Sequence, residues 1–217
     1  MARPKIVKET KRRVPEVEPP SDTRVRPHEW LSDDEMTTFE ARLRSRVPFE
    51  VYISSSAEKK IRDHAEEHSA ERLEVLGFLL GEIGKWKGKT YTVVRDAATT
   101  ALRSSPSNVR FAPEAYPRLF HQLDDSGFDY IIVGWYHSHP GHTCFMSRTD
   151  VETQRASFRE PFHVAFVIDP INREAKTFRL AGEGYEETTF AIYASSARKP
   201  DRSQRTRKLK VKPVVAH

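Results

Sequence analysis

The chain has 217 residues, with 36 Lys+Arg against 31 Asp+Glu, 37% hydrophobic residues and a single cysteine, Cys144. That length suits one domain able to bury a core, not two large ones, and the lone cysteine has no internal disulfide partner, in keeping with a reducing compartment. The formal charge of +5 sits at the ends: residues 198–217 carry +7 and residues 1–27 carry +4, which leaves −6 for residues 28–197.

Basic ends of this kind read as solvated arms with weak, nonspecific affinity for nucleic acid or acidic partners, not as a dedicated nucleic-acid surface. The apolar runs VLGFLL from Val75 and YIIVGWY from Tyr130 fall well short of the ~20 residues of a membrane span. The basic start MARPKIVKETKRR leads into VPEVEPPSD, where a signal peptide would need an apolar stretch. The expectation is a cytoplasmic protein with no membrane partner.

In chain order, residues 1–28 are rich in Pro and charge and are expected to be a disordered tail, with structure starting near Trp30. Ser32 before Asp33, Asp34 and Glu35 predicts a capped helix to about Arg46, stopped by Pro48. FEVYIS from Phe49 alternates as a strand, and Ser55 or Ser56 then caps a helix to about His68. Glu74 to Gly81, EVLGFLLG, reads as a buried strand closed by glycine, and TYTVVRDA from Thr90 as another. Residues 97–111 are expected as a long polar loop, Pro113–Leu123 as a helix and FDYIIVGWYHSH from Phe128 as a strand. Ser147 or Thr149 opens a helix to about Phe158, and FHVAFVID, EAKTFRL and ETTFAIYA finish the series as strands. Helices alternate with strands in the middle and strands cluster at the end, so the pattern predicts an α/β domain over residues 29–197 with a mixed sheet and helices on it. Residues 198–217 are expected to be a second disordered basic tail.

Chemistry concentrates in HSHPGHTCFMSRTD, from His137 to Asp150. His137 and His139 stand two apart at a strand end, so both imidazoles leave the same face and can reach one metal. Pro140 stops the strand and Gly141 permits a turn that can bring the next helix back toward them. Asp150 falls in the first turn of that helix. Two neutral imidazoles and one carboxylate leave a fourth position open, which is the pattern of a catalytic zinc. Hydrolysis at such a metal still needs a base to move a proton.

HSHP, Ser147 and Asp150 at these spacings, with Glu74 upstream, resemble the JAMM (MPN+) zinc metalloprotease family. The resemblance spans about residues 49–193, and GWYHSHPG, the Cys before the Ser and EPF…VIDP are most similar to the deubiquitinating subunit of the proteasome lid and the deneddylating subunit of the signalosome. It implies an MPN fold, a curved mixed β-sheet flanked by helices with cytidine-deaminase-like layering. It also implies one zinc held by His137, His139 and Asp150, with Glu74 as general acid/base and Ser147 polarising the scissile carbonyl. The implied reaction is cleavage after the C-terminal Gly-Gly of ubiquitin or a ubiquitin-like protein, in deconjugation or precursor processing, with a conjugation-system enzyme as a further partner. Phe145 and Met146, in the loop after HSHP, are candidate walls of the substrate channel, as is the loop at 97–111. The absence of the long C-terminal helical extension used by complex-bound members favours a compact prokaryotic-type enzyme. A nucleic-acid-associated protein of this fold using its tails and a non-catalytic scaffold are the alternatives, and the five intact positions argue against the scaffold.

Taken singly, each of these residues has a plainer reading. Either His can be a satisfied strand-end residue, Asp150 a helix-start carboxylate and Ser147 an N-cap. Glu74 differs, because a carboxylate buried among Leu and Val is costly unless it is paired or used. His64-Ala-Glu-Glu-His68 satisfies a zinc-helix pattern but has no identifiable third ligand, so it reads as part of a charged amphipathic helix. His142 needs only solvent and His163 packs within a strand; Cys144 is near enough to the proposed metal to bind it or be oxidised, and the family resemblance implies that it lines the site without being a ligand.

Overall fold

A computed structural model describes residues 14, 16–20, 24–99, 102–105, 108–111 and 131–194. Its strands are β1 (Val25–Arg26), β2 (Val51–Ser54), β3 (Leu76–Trp86), β4 (Lys89–Ala98), β5 (Leu102–Ser105), β6 (Asn108–Phe111), β7 (Ile131–Ser138), β8 (Val164–Asp169), β9 (Glu174–Ala181), β10 (Gly184–Thr188) and β11 (Phe190–Tyr193). The helices are α1 (Asp33–Arg44), α2 (Ser55–Glu67) and α3 (Arg148–Ser157). None of them is long and apolar enough to cross a membrane.

Nine strands form one mixed sheet in the order β1-β11-β2-β4-β3-β7-β8-β9-β10, and β5 pairs with β6 as a separate hairpin. β10 and β11 lie near opposite ends of that order, yet only Thr189 separates them in the chain. One residue spans at most about 3.6 Å. The sheet therefore curls round until its two ends approach each other, and Glu50 and Thr189 bond across the junction, Glu50 N–H to the Thr189 carbonyl and Thr189 N–H to Glu50 Oε2.

Period-two alternation sorts side chains onto the two faces. Val51 and Ile53 of β2, Leu79 of β3, and Val164, Phe166 and Ile168 of β8 pack with Ala57, Ile61 and Ala65 of α2. Tyr52 of β2 points the other way, into an aromatic cluster with Phe39 of α1, Phe49 and Tyr91. Ala165 and Val167 of β8 join Trp135, Met146, Phe158 and Phe178 in a third cluster beside α3. The sheet is thus a middle layer, with α2 on one face and α1 and α3 on the other.

The caps expected at α1 and α3 are present. Ser32 and Ser147 each accept the N–H of the third helical residue, and Glu35 and Asp150 return the bond to the cap's own N–H. At α2 the cap is Ser54, one residue earlier than expected, because Ser54 Oγ both accepts from Ala57 N–H and donates to the Arg95 carbonyl of β4.

Other expectations need correction. The N-terminal tail is tied to the fold before residue 28: Val25 and Arg26 pair with β11, Val17 N–H donates to the Lys85 carbonyl, and His28 is buried against Glu58 of α2. β3 continues five residues past Gly81 to Trp86, because its pairing with β4 resumes after a bulge at Leu80/Gly81. The segment 97–111, expected as a loop, contains the β5–β6 hairpin. ETTFAIYA is divided between β10 and β11 at the turn of the sheet. The helix expected at Pro113–Leu123 and the tail at 198–217 lie outside the described residues.

Candidate metal centre

The site forms where β7 ends and α3 begins. Leu76 of β3 pairs with His137 of β7, and Val167 of β8 flanks His137 on the other side. Trp135, two residues before His137, puts its indole flat against the His137 imidazole, with centroids 4.4 Å apart. His139 follows the strand end, held by its N–H to the Ile168 carbonyl. Gly141 turns the chain in a left-handed conformation, φ +82°, which glycine adopts without steric cost.

His137, His139 and Asp150 converge, with one potential donor atom from each lying within 4.8 Å of the others. Nε2 of His137 is 3.5 Å and Nε2 of His139 is 3.6 Å from Asp150 Oδ2. Ligands about 2.0–2.2 Å from a tetrahedral zinc stand roughly 3.3 Å apart, so both nitrogen–oxygen separations are near those of a shared ion. His139 donates Nδ1–H to the Thr143 carbonyl, 3.2 Å away, so in the neutral ring the lone pair sits on Nε2, the nitrogen that faces Asp150. His137 is fully buried, and apart from the 3.5 Å approach of its Nε2 to Asp150 its ring nitrogens have no hydrogen-bond partner among the described residues. Burying such groups unpaired costs about 1–3 kcal/mol each. A cation accepting the lone pair satisfies one of them, so the donor set fits a divalent metal with imidazole and carboxylate ligands.

The electrostatics divide between the two imidazoles. Burial opposes charge on Asp150, but the two imidazoles and Ser147 outweigh it and hold the carboxyl far below its usual range. Burial depresses His137, the neutral form that a ligand must take, despite the pull of Asp150. Burial also works against a charged His139, but there Asp150, Glu74 and the Thr143 carbonyl prevail and raise its pKa.

Glu74 reaches the site through strand register. Ser138 N–H donates to the Val75 carbonyl at 2.9 Å, and Val75 N–H donates to Ser138 Oγ at 3.0 Å, which locks the entry of β3 to the end of β7. Val75 packs in the α2-side core. Glu74, its neighbour, lies on the opposite side, where it interacts electrostatically with His139 and Asp150. Burial lifts its carboxyl to about 7, with His139 pulling it down and Asp150 pushing it up. A group with that pKa can both take and return a proton near neutrality. Ser147 caps α3 through its Oγ acceptor, and its own backbone N–H donates to Asp150 Oδ2 at 2.8 Å.

Phe145 is exposed, with its ring 4.8 Å from that of His139, so it stands at the mouth of the site. Met146 is buried in the α3-side core, because the loop turns alternate residues inward. Cys144 is buried too, with Sγ against the Val167 carbonyl, and burial pushes its thiol pKa well up. The His64/His68 pair is engaged elsewhere, with His64 Nδ1 2.9 Å from Tyr136 Oη and His68 Nδ1 3.1 Å from the His64 carbonyl. His142 is exposed, and His163 is buried and accepts from Glu160 N–H. Sequence reasoning missed the Trp135 stack, whose only signal is the i, i+2 spacing to His137.

Residues 48–160 match the family model described as JAB1/Mov34/MPN/PAD-1 ubiquitin protease. COP9 signalosome complex subunit 5 of Debaryomyces hansenii is 34% identical over 158 residues, covering 68% of this chain and 32% of the relative. Ubiquitin carboxyl-terminal hydrolase RPN11 of Saccharomyces cerevisiae is 37% identical over 125 residues, covering 56% and 39%. The 26S proteasome non-ATPase regulatory subunit 14 of Dictyostelium discoideum is 37% identical over 123 residues, with the same two coverages. The chain therefore spans between about a third and two fifths of the length of these curated relatives. The matched segment contains Glu74, His137, His139, Ser147 and Asp150 together, and on that match the chain belongs to the JAB1/Mov34/MPN/PAD-1 ubiquitin protease family.

Proposed function

We propose that this protein is a zinc-dependent peptidase or isopeptidase that cleaves after the C-terminal Gly-Gly of ubiquitin or a ubiquitin-like protein. The observation that carries the reading is the convergence of His139 and Asp150 on the buried His137, with one potential donor atom from each within 4.8 Å of the others. His137, His139 and Asp150 are the residues that would hold the metal. When bound, zinc supplies Lewis acidity toward an amide carbonyl and makes water a usable nucleophile near neutral pH.

The chain's own residues do the rest. Glu74 takes the proton from the attacking water and passes it to the leaving amine, a role suited to a carboxyl lifted to about 7. Ser147 Oγ accepts the Asp150 N–H, which leaves the hydroxyl hydrogen free to donate to a developing oxyanion. An extended tail ending in Gly-Gly suits this site, since glycines let the backbone approach a recessed carboxylate and imidazole pair closely where a side chain would stand in the way. The β5–β6 hairpin, in the segment 97–111 read as a channel wall, is the candidate strand for pairing with such a tail by β-augmentation. The substrate identity is supported by the named activity of the RPN11 relative, the amide hydrolysis by the residues themselves.

The test offers purified protein a panel of ubiquitin-like fusions, each with its Gly-Gly and with the last Gly changed to Leu. The expected result is chelator-sensitive cleavage that the Leu change blocks. A zinc-loaded protein that cleaves none of them, yet hydrolyses unrelated peptides, would retain the hydrolase and lose the substrate.

A further inference from the structure

Asp169 is a buried carboxylate that belongs neither to the ligand set nor to the proton-transfer chemistry, yet it collects five hydrogen bonds. It closes β8 and is fully shielded from solvent. Its Oδ1 accepts from the N–H groups of Ile171 at 2.9 Å and Asn172 at 3.1 Å, which is local turn closure. Asn172 Nδ2 adds a third local donor, to Oδ2 at 2.7 Å. The other two bonds are remote. Gly141 N–H donates to Oδ1 at 2.9 Å and Thr143 N–H to Oδ2 at 2.8 Å, both from the loop that follows His139.

We propose that Asp169 is a positioning residue for the metal site, acting through the backbone of Thr143 to hold His139 with Nε2 toward the ion. Thr143 has φ +66°. A β-branched residue in the left-handed region is strained, and such a conformation persists only where the surroundings impose it. The Asp169 bond to its N–H is one such restraint. The neighbouring Cys144 N–H donating to Glu174 Oε2 at 2.8 Å is another. Held this way, the Thr143 carbonyl faces His139 Nδ1 at 3.2 Å. A carbonyl only accepts, so Nδ1 carries the hydrogen, and the neutral ring that a metal requires has its lone pair on Nε2, beside Asp150. Ligand tautomer and ring orientation are set by the partner of the non-ligating nitrogen, and losing such an outer partner typically costs 10–100-fold in metal affinity.

This inference rests on the metal site proposed above, and its test reads metal binding instead of turnover. In full-length protein with ¹⁵N-labelled histidine and ¹¹³Cd as the probe, His139 should show coupling from the metal to Nε2 and a protonated Nδ1. Asp169→Asn keeps one acceptor oxygen but turns an amide N–H₂ toward either the Thr143 side or the Gly141 side. Its zinc dissociation constant should rise by about 10-fold or more. Asn172→Ala, which removes only a local bond to the same carboxylate, should bind zinc as the wild type does. Wild-type affinity in folded Asp169→Asn, an equal loss in Asn172→Ala, or ligation of His139 through Nδ1 overturns the inference and leaves the metal site standing. If Asp169→Asn does not fold, the nitrogen assignment in the wild type still decides. A wild type that binds neither zinc nor cadmium would instead remove the metal site and this inference with it.

Discussion

Replacing Glu74 by Gln tests both the chemistry of the site and the energetic cost of its acid. Burial lifts the Glu74 carboxyl from an ordinary 4.5 to about 7. At roughly 1.4 kcal/mol for each pH unit, the charged form is disfavoured in the folded protein by about 3.5 kcal/mol at most. Because the folded-state pKa is the higher one, the folded protein binds more protons than the unfolded chain between pH 4.5 and about 7. Stability therefore falls as pH rises through that window and stays reduced above it. The side chain is only part-buried, so about 1–3 kcal/mol is the realistic range. The amide has no charge to desolvate. In chelator, Glu74→Gln should exceed wild type by that amount at about pH 8 and match it at about pH 4, read from urea denaturation at both values. Once zinc is restored, the variant should keep its metal and lose ~100-fold or more in kcat. A variant less stable than wild type at the higher pH, or a difference that does not change with pH, would refute the burial argument. Near-normal turnover would remove Glu74 from the mechanism.

The double variant His137→Ala, His139→Ala should contain no tightly bound zinc by elemental analysis, and full zinc content would show the ligand assignment to be wrong. Ser147→Ala should lose about 1 kcal/mol of stability with its helix cap, and a larger drop in kcat, worth about 3 kcal/mol, if its hydroxyl meets the oxyanion; a change confined to KM would indicate binding instead. His28→Ala leaves the buried Glu58 carboxylate, 3.2 Å from His28 Nε2, with Arg62 as its remaining partner, and should cost about 2–4 kcal/mol in denaturant unfolding. An unchanged midpoint would mean that the N-terminal segment does not stabilise the domain. Removing residues 198–217 should leave kcat/KM on a fusion substrate unaltered, since all five site residues lie outside them; a folded but inactive trimmed chain would contradict this.

The parts of the protein that depend on neighbours in the chain were legible in its sequence. Ser32 and Ser147 read as helix caps because a capping bond spans three residues, and both cap their helices. The alternation in FHVAFVID and GWYHSH identified strands with two distinct faces, and the two-residue spacing of His137 and His139 placed both imidazoles with Asp150 across one turn. From the residues alone Glu74 was legible only as an acid in an apolar run, and its catalytic role came from the family resemblance. Bringing it to the ligands required β3 to pair antiparallel with β7 in one register, a contact between Val75 and Ser138, 63 residues apart. Tertiary structure also decided that residues 24–28 join the fold, that 97–111 contains a hairpin, that Met146 turns into the core, and that Asp169 holds the loop behind His139. Side-chain period and capping are set over a few residues, whereas register, sheet curvature and the partners of a buried carboxylate depend on which distant segments the closing sheet brings together.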